Sequence, residues 1–264
     1  MNRKAILVIS FGTRYQETRE KTLNAIERDI QAAFPEYEFR RAYTSPTIIR
    51  ILQSRDGENV DDVEQALTRL WADGYRTVIV QTTHIIHGFE YHKMMKIIEE
   101  FQDDFAQLVC GAPLLSGDDD YRQAVRIMGK EWKDMCRAGT NVLLMGHGTE
   151  HAANMAYAKL QTAFLAEGLP DFLVGTVEAS PTLENMIALV RERATHQVVL
   201  TPFMIVAGQH AYHDMAGEQE DSWKSRFERN GYQVECVMKG LGEYQGIRDL
   251  YIRHAKEAEG KLKN

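Results

Sequence analysis

Nine histidines are spread over 264 residues. Seven of them, His84, His87, His92, His147, His151, His210 and His213, fall into three short segments. Imidazole has a near-neutral pKa, so it can accept a proton and can also ligate a divalent transition metal. Glu90 and Glu178 lie in or between these segments, and carboxylates coordinate the same metals and relay protons. Two histidines and one carboxylate suit Co(II), Fe(II), Ni(II) or Zn(II), and nothing in the ligand types selects among them. The pairs His84-x-x-His87 and His210-x-x-His213 also fit a zinc hydrolase, and Gly146-His147-Gly148-Thr149 fits an anion-binding turn. His92, His151 and His213 fit equally well as solvated residues of first helical turns. GxxxxGK[ST], GxGxxG and HExxH are all absent, which leaves nucleotide binding and zincin chemistry without support.

The elements that must position these residues follow from hydropathy. Short apolar, β-branched runs alternate with segments of helical period, the pattern of a parallel α/β architecture. Strands are expected at Ala5–Ser10, Glu38–Tyr43, Thr77–Gln81 and Ala106–Cys110, then at Asn141–Met145, Phe172–Val177, Gln197–Thr201 and Gln233–Val237. Helix patterns between them include Thr18–Phe34, Val60–Ala72, Tyr91–Phe101, Ala152–Ala166 and Thr182–Glu192, with a final helix from about Tyr244. Ligands of open parallel sheets bind beyond the carboxyl ends of the strands, and the three histidine segments sit there.

The second half echoes the first. Phe11-Gly12-Thr13 follows strand one and His147-Gly148-Thr149 follows strand five. Ser45-Pro46-Thr47 is matched by Ser180-Pro181-Thr182. Gly88-Phe89-Glu90-Tyr91-His92-Lys93-Met94 is matched by Gly208-Gln209-His210-Ala211-Tyr212-His213-Asp214-Met215, with one extra residue. Two similar doubly wound α/β domains related by duplication are therefore expected, at 1–130 and 131–264, packed closely over a shared cleft, with the final helix able to return to the first. On this alignment His147 takes the place of Phe11, His210 that of Glu90, and Glu178 that of Tyr43. The second half reads as a metal holder and the first as an apolar platform.

Composition narrows the field. With 31 basic and 38 acidic residues the formal net charge is -7, unlike a protein built to coat nucleic acid. The apolar run near the start breaks at Ser10-Phe11-Gly12, too soon for a signal-peptide core or a membrane span. Cys110, Cys136 and Cys236 are odd in number and lack CxxC spacing, so no disulfide frame is expected. A soluble, cytoplasmic protein is the expectation.

Longer stretches carry a family likeness. They are Leu7-Val8-Ile9-Ser10-Phe11-Gly12-Thr13, Ala42-Tyr43-Thr44-Ser45 with Ile48-Ile49-Arg50, His84-Ile85-Ile86 with Gly88-x-Glu90-Tyr91, and Met145-Gly146-His147-Gly148. Gly175-Thr176-Val177-Glu178, Met204-Ile205-Val206-Ala207-Gly208-x-His210-Ala211, Asp221-Ser222-Trp223-Lys224-x-Arg226-Phe227 and Gly240-Leu241-Gly242-Glu243 complete the set. Over essentially its full length the chain resembles the anaerobic cobalt chelatases, the sirohydrochlorin cobaltochelatases of vitamin B12 synthesis. The resemblance implies a class II chelatase fold and Co(II) insertion into sirohydrochlorin or its precursor precorrin-2. It implies His147, Glu178 and His210 as cobalt ligands, His147 also as proton acceptor, and Glu90 opposite them as a catalytic carboxylate. Ser10, Phe11, Thr13, Arg14, Tyr43, His84 and His87 are then expected to contact the substrate. Phe11 and Tyr43 would form its apolar face, and Arg14, Arg41 and Arg50 would meet its carboxylates. His87 and His92 depart from the family pattern, as imidazoles open to a second metal or a haem.

No organic cofactor is implied; Co(II) enters as substrate, and Ni, Fe or Zn can substitute. The expected partners are the tetrapyrrole and the divalent metal, with neither nucleic acid nor membrane, and a homo-oligomer is left open. A storage or transfer protein for metal or haem is the alternative reading.

Overall fold

The computed structural model describes residues 3–263. The inner strands are apolar runs, because a parallel sheet covered on both faces leaves no side for polar residues, whereas the edge strands Glu38–Tyr43 and Gln233–Cys236 carry polar and charged residues. β1 (Arg3–Ser10), β2 (Glu38–Tyr43), β3 (Tyr75–Thr82) and β4 (Gln107–Gly111) form one sheet in the order β2-β1-β3-β4. β5 (Thr140–Gly146), β6 (Phe172–Thr176), β7 (Gln197–Pro202) and β8 (Gln233–Cys236) form a second in the order β6-β5-β7-β8. All pairings in both sheets are parallel. The same order twice is the duplicated α/β architecture expected from the sequence. The central strands are sealed: Ala5 to Ser10 and Val142 to Met145 have no exposed surface.

The helices are α1 (Gln16–Lys21), α2 (Leu23–Ala33), α3 (Pro46–Asp56), α4 (Val63–Ala72) and α5 (Phe89–Glu100), then α6 (Asp118–Glu131), α7 (Met155–Ala166), α8 (Leu183–Arg191), α9 (Trp223–Arg229) and α10 (Gln245–Glu259). The single helix expected over Thr18–Phe34 is broken at Thr22, whose φ and ψ are -117° and -82°. Its hydroxyl donates to the Thr18 carbonyl at 2.6 Å beside its own N–H at 3.1 Å, back-bonding of the kind that bends helices.

The chain divides into two compact units, Met1–Ser116 with Gly242–Asn264, and Gly117–Leu241. The boundary thus differs from the expected 130/131, and α6 belongs with the second unit. Its buried face, Tyr121, Ala124, Val125 and Met128, repeats at helical spacing, and the helix packs against α7. α10 lies in the first unit, against α2, β3 and β4. There the buried Tyr251 hydroxyl donates to the Thr83 carbonyl at 2.8 Å and fixes the end of β3.

Strand register corrects one equivalence between the halves. Ser10 pairs with Tyr43, and Gly146 pairs with Thr176. Beyond these pairs, Ser45 N–H donates to the Phe11 carbonyl at 3.3 Å, and Glu178 N–H donates to the His147 carbonyl at 2.9 Å. His147 therefore does stand at the place of Phe11, but the partner of Tyr43 is Thr176, and Glu178 corresponds to Ser45. Ser45 caps α3 with its side chain, whereas the cap of α8 is Thr182. The second half thus has a longer strand-to-helix loop, which frees Glu178 from capping duty.

Candidate metal centre

The site is built from three loops at the carboxyl ends of β5, β6 and β7. After β5 the chain turns at Gly148, whose φ is +84°. A Cβ there would fall 2.8 Å from the Ala179 nitrogen and 2.9 Å from the Thr176 side chain, so only glycine fits. Gly148 N–H donates to the buried Tyr157 hydroxyl at 3.3 Å. Asn154 clamps the loop, accepting from Thr149 N–H at 3.1 Å and donating to the Ser180 carbonyl at 2.7 Å. The β6 loop is closed by the Thr176 hydroxyl, which donates to the Ala179 carbonyl at 2.6 Å.

These loops bring His147, Glu178 and His210 together, with one ligand atom of each within 4.8 Å of the others. Among the described residues no other group of three such side chains converges this way. Ligands held at about 2.1 Å from one ion stand at most about 4.2 Å apart, so a movement of under about 1 Å closes the set on a metal. His147 Nδ1 lies 2.9 Å from the Gly148 carbonyl and 3.5 Å from Glu178 Oε2. A carbonyl only accepts, so Nδ1 carries the proton and Nε2 keeps the lone pair. His210 Nδ1 lies 2.6 Å from Asp214 Oδ2, and His213 Nδ1 lies 3.1 Å from Asp214 Oδ1. Asp214 escaped the sequence reading, although its spacing four residues after His210 on a helical segment was a signal for such contact.

In the first unit Glu90 lies in the first turn of α5, where a carboxylate is favoured by the helix dipole. Its equivalence to His210 holds: His92 N–H donates to the Gly88 carbonyl and Tyr212 N–H to the Gly208 carbonyl, both at 3.0 Å. Phe11 is 50% exposed. Tyr43 is wholly buried beneath Gly12, which removes it from the apolar face; burial also pushes its hydroxyl up to about 12. Ser10 is likewise buried, its Oγ accepting from the Thr83 hydroxyl at 2.9 Å. Thr13 is buried too, and its Oγ1 accepts from Tyr15 N–H at 3.3 Å.

Arg14 donates to the Tyr15 hydroxyl at 3.2 Å, and Arg50 is exposed. Arg41 is paired with the buried Glu27 and reaches Glu58 at 3.8 Å, so it is a structural cation and not a receiver of substrate carboxylates. His84 Nδ1 lies 2.5 Å from Thr82 Oγ1 while its Nε2 is buried without a partner; burial pushes its pKa down to about 4. His87 packs edge-on against Tyr91 at 4.8 Å, and burial, then the neighbouring charge of His92, lowers its pKa. His151 is a cap, its Nδ1 accepting from Ala153 N–H at 3.0 Å.

No helix among the described residues is long and apolar enough to cross a membrane. A family model described as cobalt chelatase (CbiK) matches residues 4–259. A sirohydrochlorin cobaltochelatase from Salmonella typhimurium is 41% identical over 256 residues, which is 97% of this chain and 96% of the relative. The sirohydrochlorin cobaltochelatase CbiKC of Nitratidesulfovibrio vulgaris is 33% identical over 264 residues, 99% of this chain and 93% of the relative. Among solved structures, SirB from Bacillus subtilis with Fe3+ has a TM-score of 0.67 at 11% identity and covers 99% of each chain. CbiX, described as the terminal enzyme of siroheme biosynthesis in denitrifying bacteria, has a TM-score of 0.57 at 12% identity, covering 98% of this chain and 100% of its own. Those two share the fold. By the full-length family match and the two close relatives, the chain belongs to the cobalt chelatase (CbiK) family.

Proposed function

We propose that the protein inserts Co(II) into sirohydrochlorin, or its precursor precorrin-2, in the anaerobic route to cobalamin. The observation that carries this reading is the convergence of His147, Glu178 and His210 at three strand ends, in a chain of this family. Three protein ligands leave positions on the metal open to incoming pyrrole nitrogens. A fourth protein ligand would hold the ion too tightly for transfer. Metallation also requires the loss of two pyrrole N–H protons. The Nε2 lone pair of His147 can serve both jobs only in succession: once it has released the metal it can accept one of these protons, with the Nδ1 proton anchored on the Gly148 carbonyl during the transfer. The second proton is assigned to the Glu90 carboxylate, and Phe11 offers an aromatic face to the macrocycle. No organic cofactor enters this scheme.

The test is metallation of sirohydrochlorin by the purified protein with Co(II), followed by the shift in absorption as product forms. His147→Ala and His210→Ala should each lose at least about 100-fold in rate, the range expected when proton transfer or metal ligation is removed. Wild-type rates in either variant would overturn the site assignment. Stoichiometric retention of Co(II) with no product would mean a storage or transfer protein. The same assay run with Fe(II) and Ni(II) reports the metal preference.

A further inference from the structure

The two halves differ by one residue just after Glu90 and His210, and Asp214 owes its position to that difference. In α5 the residue four after Glu90 is Met94, buried in the core of its unit. In the second unit the corresponding core methionine is Met215, fully buried, and it comes five residues after His210. The extra residue is absorbed by a π turn over Ala211–Met215, in which Ala216 N–H donates to the Ala211 carbonyl at 3.0 Å. Such single-turn insertions widen a helix without losing its register to the core, and they recur at functional sites. Here the turn keeps a methionine in the core and opens the fourth position after His210. Asp214 fills that position.

From it, Asp214 Oδ2 reaches His210 Nδ1 at 2.6 Å, while Oδ1 reaches His213 Nδ1 at 3.1 Å. We infer that Asp214 is a positioning residue for the metal-ligating His210. Its carboxylate accepts the Nδ1 proton of His210, so the lone pair resides on Nε2 and the ring is held in one pose. A carboxylate behind a ligating imidazole also makes the imidazole a better donor. His213 occupies the second oxygen, which keeps Asp214 from swinging onto the metal as a fourth ligand and closing a site that must release its ion. The inference rests on the proposed role of His210 as a ligand.

The experiment is titration of Co(II) into the full-length protein without tetrapyrrole, read by the visible absorption of the bound ion. Asp214→Ala and the near-isosteric Asp214→Asn should each weaken Co(II) binding by about 10–100-fold and alter its spectrum, with melting temperatures close to wild type. A purely structural role for Asp214 would leave the spectrum of the bound ion unmoved. If Asp214→Ala does not fold, Asp214→Asn decides by the same criterion. Dissociation constants within twofold of wild type and an unchanged spectrum overturn the inference, provided His210→Ala loses binding in the same titration. If His210→Ala also binds as wild type does, the metal-site reading has failed together with the inference.

Discussion

The imidazoles of His147 and His210 meet edge to face, with ring centroids 4.7 Å apart and planes at 84°. His147 directly follows β5, whereas His210 stands eight residues beyond the end of the neighbouring β7, at the start of the π turn, so the loop over 203–209 and that turn set its place beside His147. Two imidazoles and a carboxylate carry no preference beyond the intrinsic affinity order of divalent ions. The free protein should therefore bind Ni(II) more tightly than Co(II), and Co(II) more tightly than Fe(II). Competition titrations would check this. A reversed order would show that the geometry of the site, and not its ligand types, selects cobalt.

Gly148 is the second lever on this centre. Alanine there must adopt φ near +84° and place its Cβ 2.8 Å from the Ala179 nitrogen, next to Glu178. The backbone strain costs about 1–3 kcal/mol, and the overpacking adds about 1–3 kcal/mol. Gly57 has φ +67°, and a Cβ added to it would meet nothing within 4 Å, so Gly57→Ala bears only the first cost. Denaturant unfolding should show Gly148→Ala to be the less stable of the two, and Co(II) binding should weaken in Gly148→Ala alone. Equal losses in both variants would remove the argument for a built loop.

What could be read from the sequence tracks what is local. Parallel strands such as Ile6–Ile9 announce themselves because burial on both faces demands unbroken apolar runs. The position of His147, directly after β5, follows from them. The place of Glu178 opposite Ser45 was not legible, because the match between Ser45-Pro46-Thr47 and Ser180-Pro181-Thr182 hides a change of capping residue. The burial of Tyr43 and the pairing of Arg41 depend on Gly12 and Glu27, partners that strand periodicity does not reveal. The π turn showed only as one surplus residue, since an i to i+5 hydrogen bond leaves no composition signal.

Arg41 tests one of those corrections. Glu27 is 3% exposed, and its burial, opposed by Arg41, raises its carboxyl to about 7. Removing Arg41 takes away the larger of the two cationic influences on Glu27, the other being Arg19. The buried carboxyl then takes up a proton near neutral pH, and the cost stays below the roughly 3–5 kcal/mol of a stranded buried charge. Arg41→Ala should lower the unfolding midpoint, and more so at pH 9 than at pH 6, while Arg41→Met combined with Glu27→Met should recover much of the loss. Metallation at a temperature where Arg41→Ala is folded should remain within about twofold of wild type. A large rise in KM for the tetrapyrrole would instead restore Arg41 to the substrate-binding set.

His84 makes the fold sensitive to acid. Its pKa falls from 6.5 in the unfolded chain to about 4 in the fold because burial disfavours the charged ring. The unfolded state therefore binds more protons between these values, and the stability present above pH 6.5 is lost as pH falls toward 4. From this one group the slope is at most about 1.4 kcal/mol per pH unit. Unfolding midpoints of wild type and His84→Gln, measured at pH 7, 5.5 and 4.5, should converge as pH falls. A constant gap would show that His84 does not titrate in this window. Neutral at physiological pH, His84 also offers no charge to a substrate carboxylate.

Phe11 occupies in the first half the place that His147 occupies in the second, and it is 50% exposed. An aromatic ring left half in water at a strand end is available to stack on a flat macrocycle, a contact worth about 0.5–1.5 kcal/mol beyond area burial. Phe11→Ala should therefore raise KM for sirohydrochlorin by up to about tenfold. Co(II) binding in the absence of tetrapyrrole should not change, because the proposed ligands His147, Glu178 and His210 belong to the second unit. Phe11→Trp, which keeps a flat face, should stay near wild type. Steady-state kinetics on the three proteins separates the outcomes: a fall in kcat with KM unchanged would take Phe11 away from the substrate and place its effect on the chemical step.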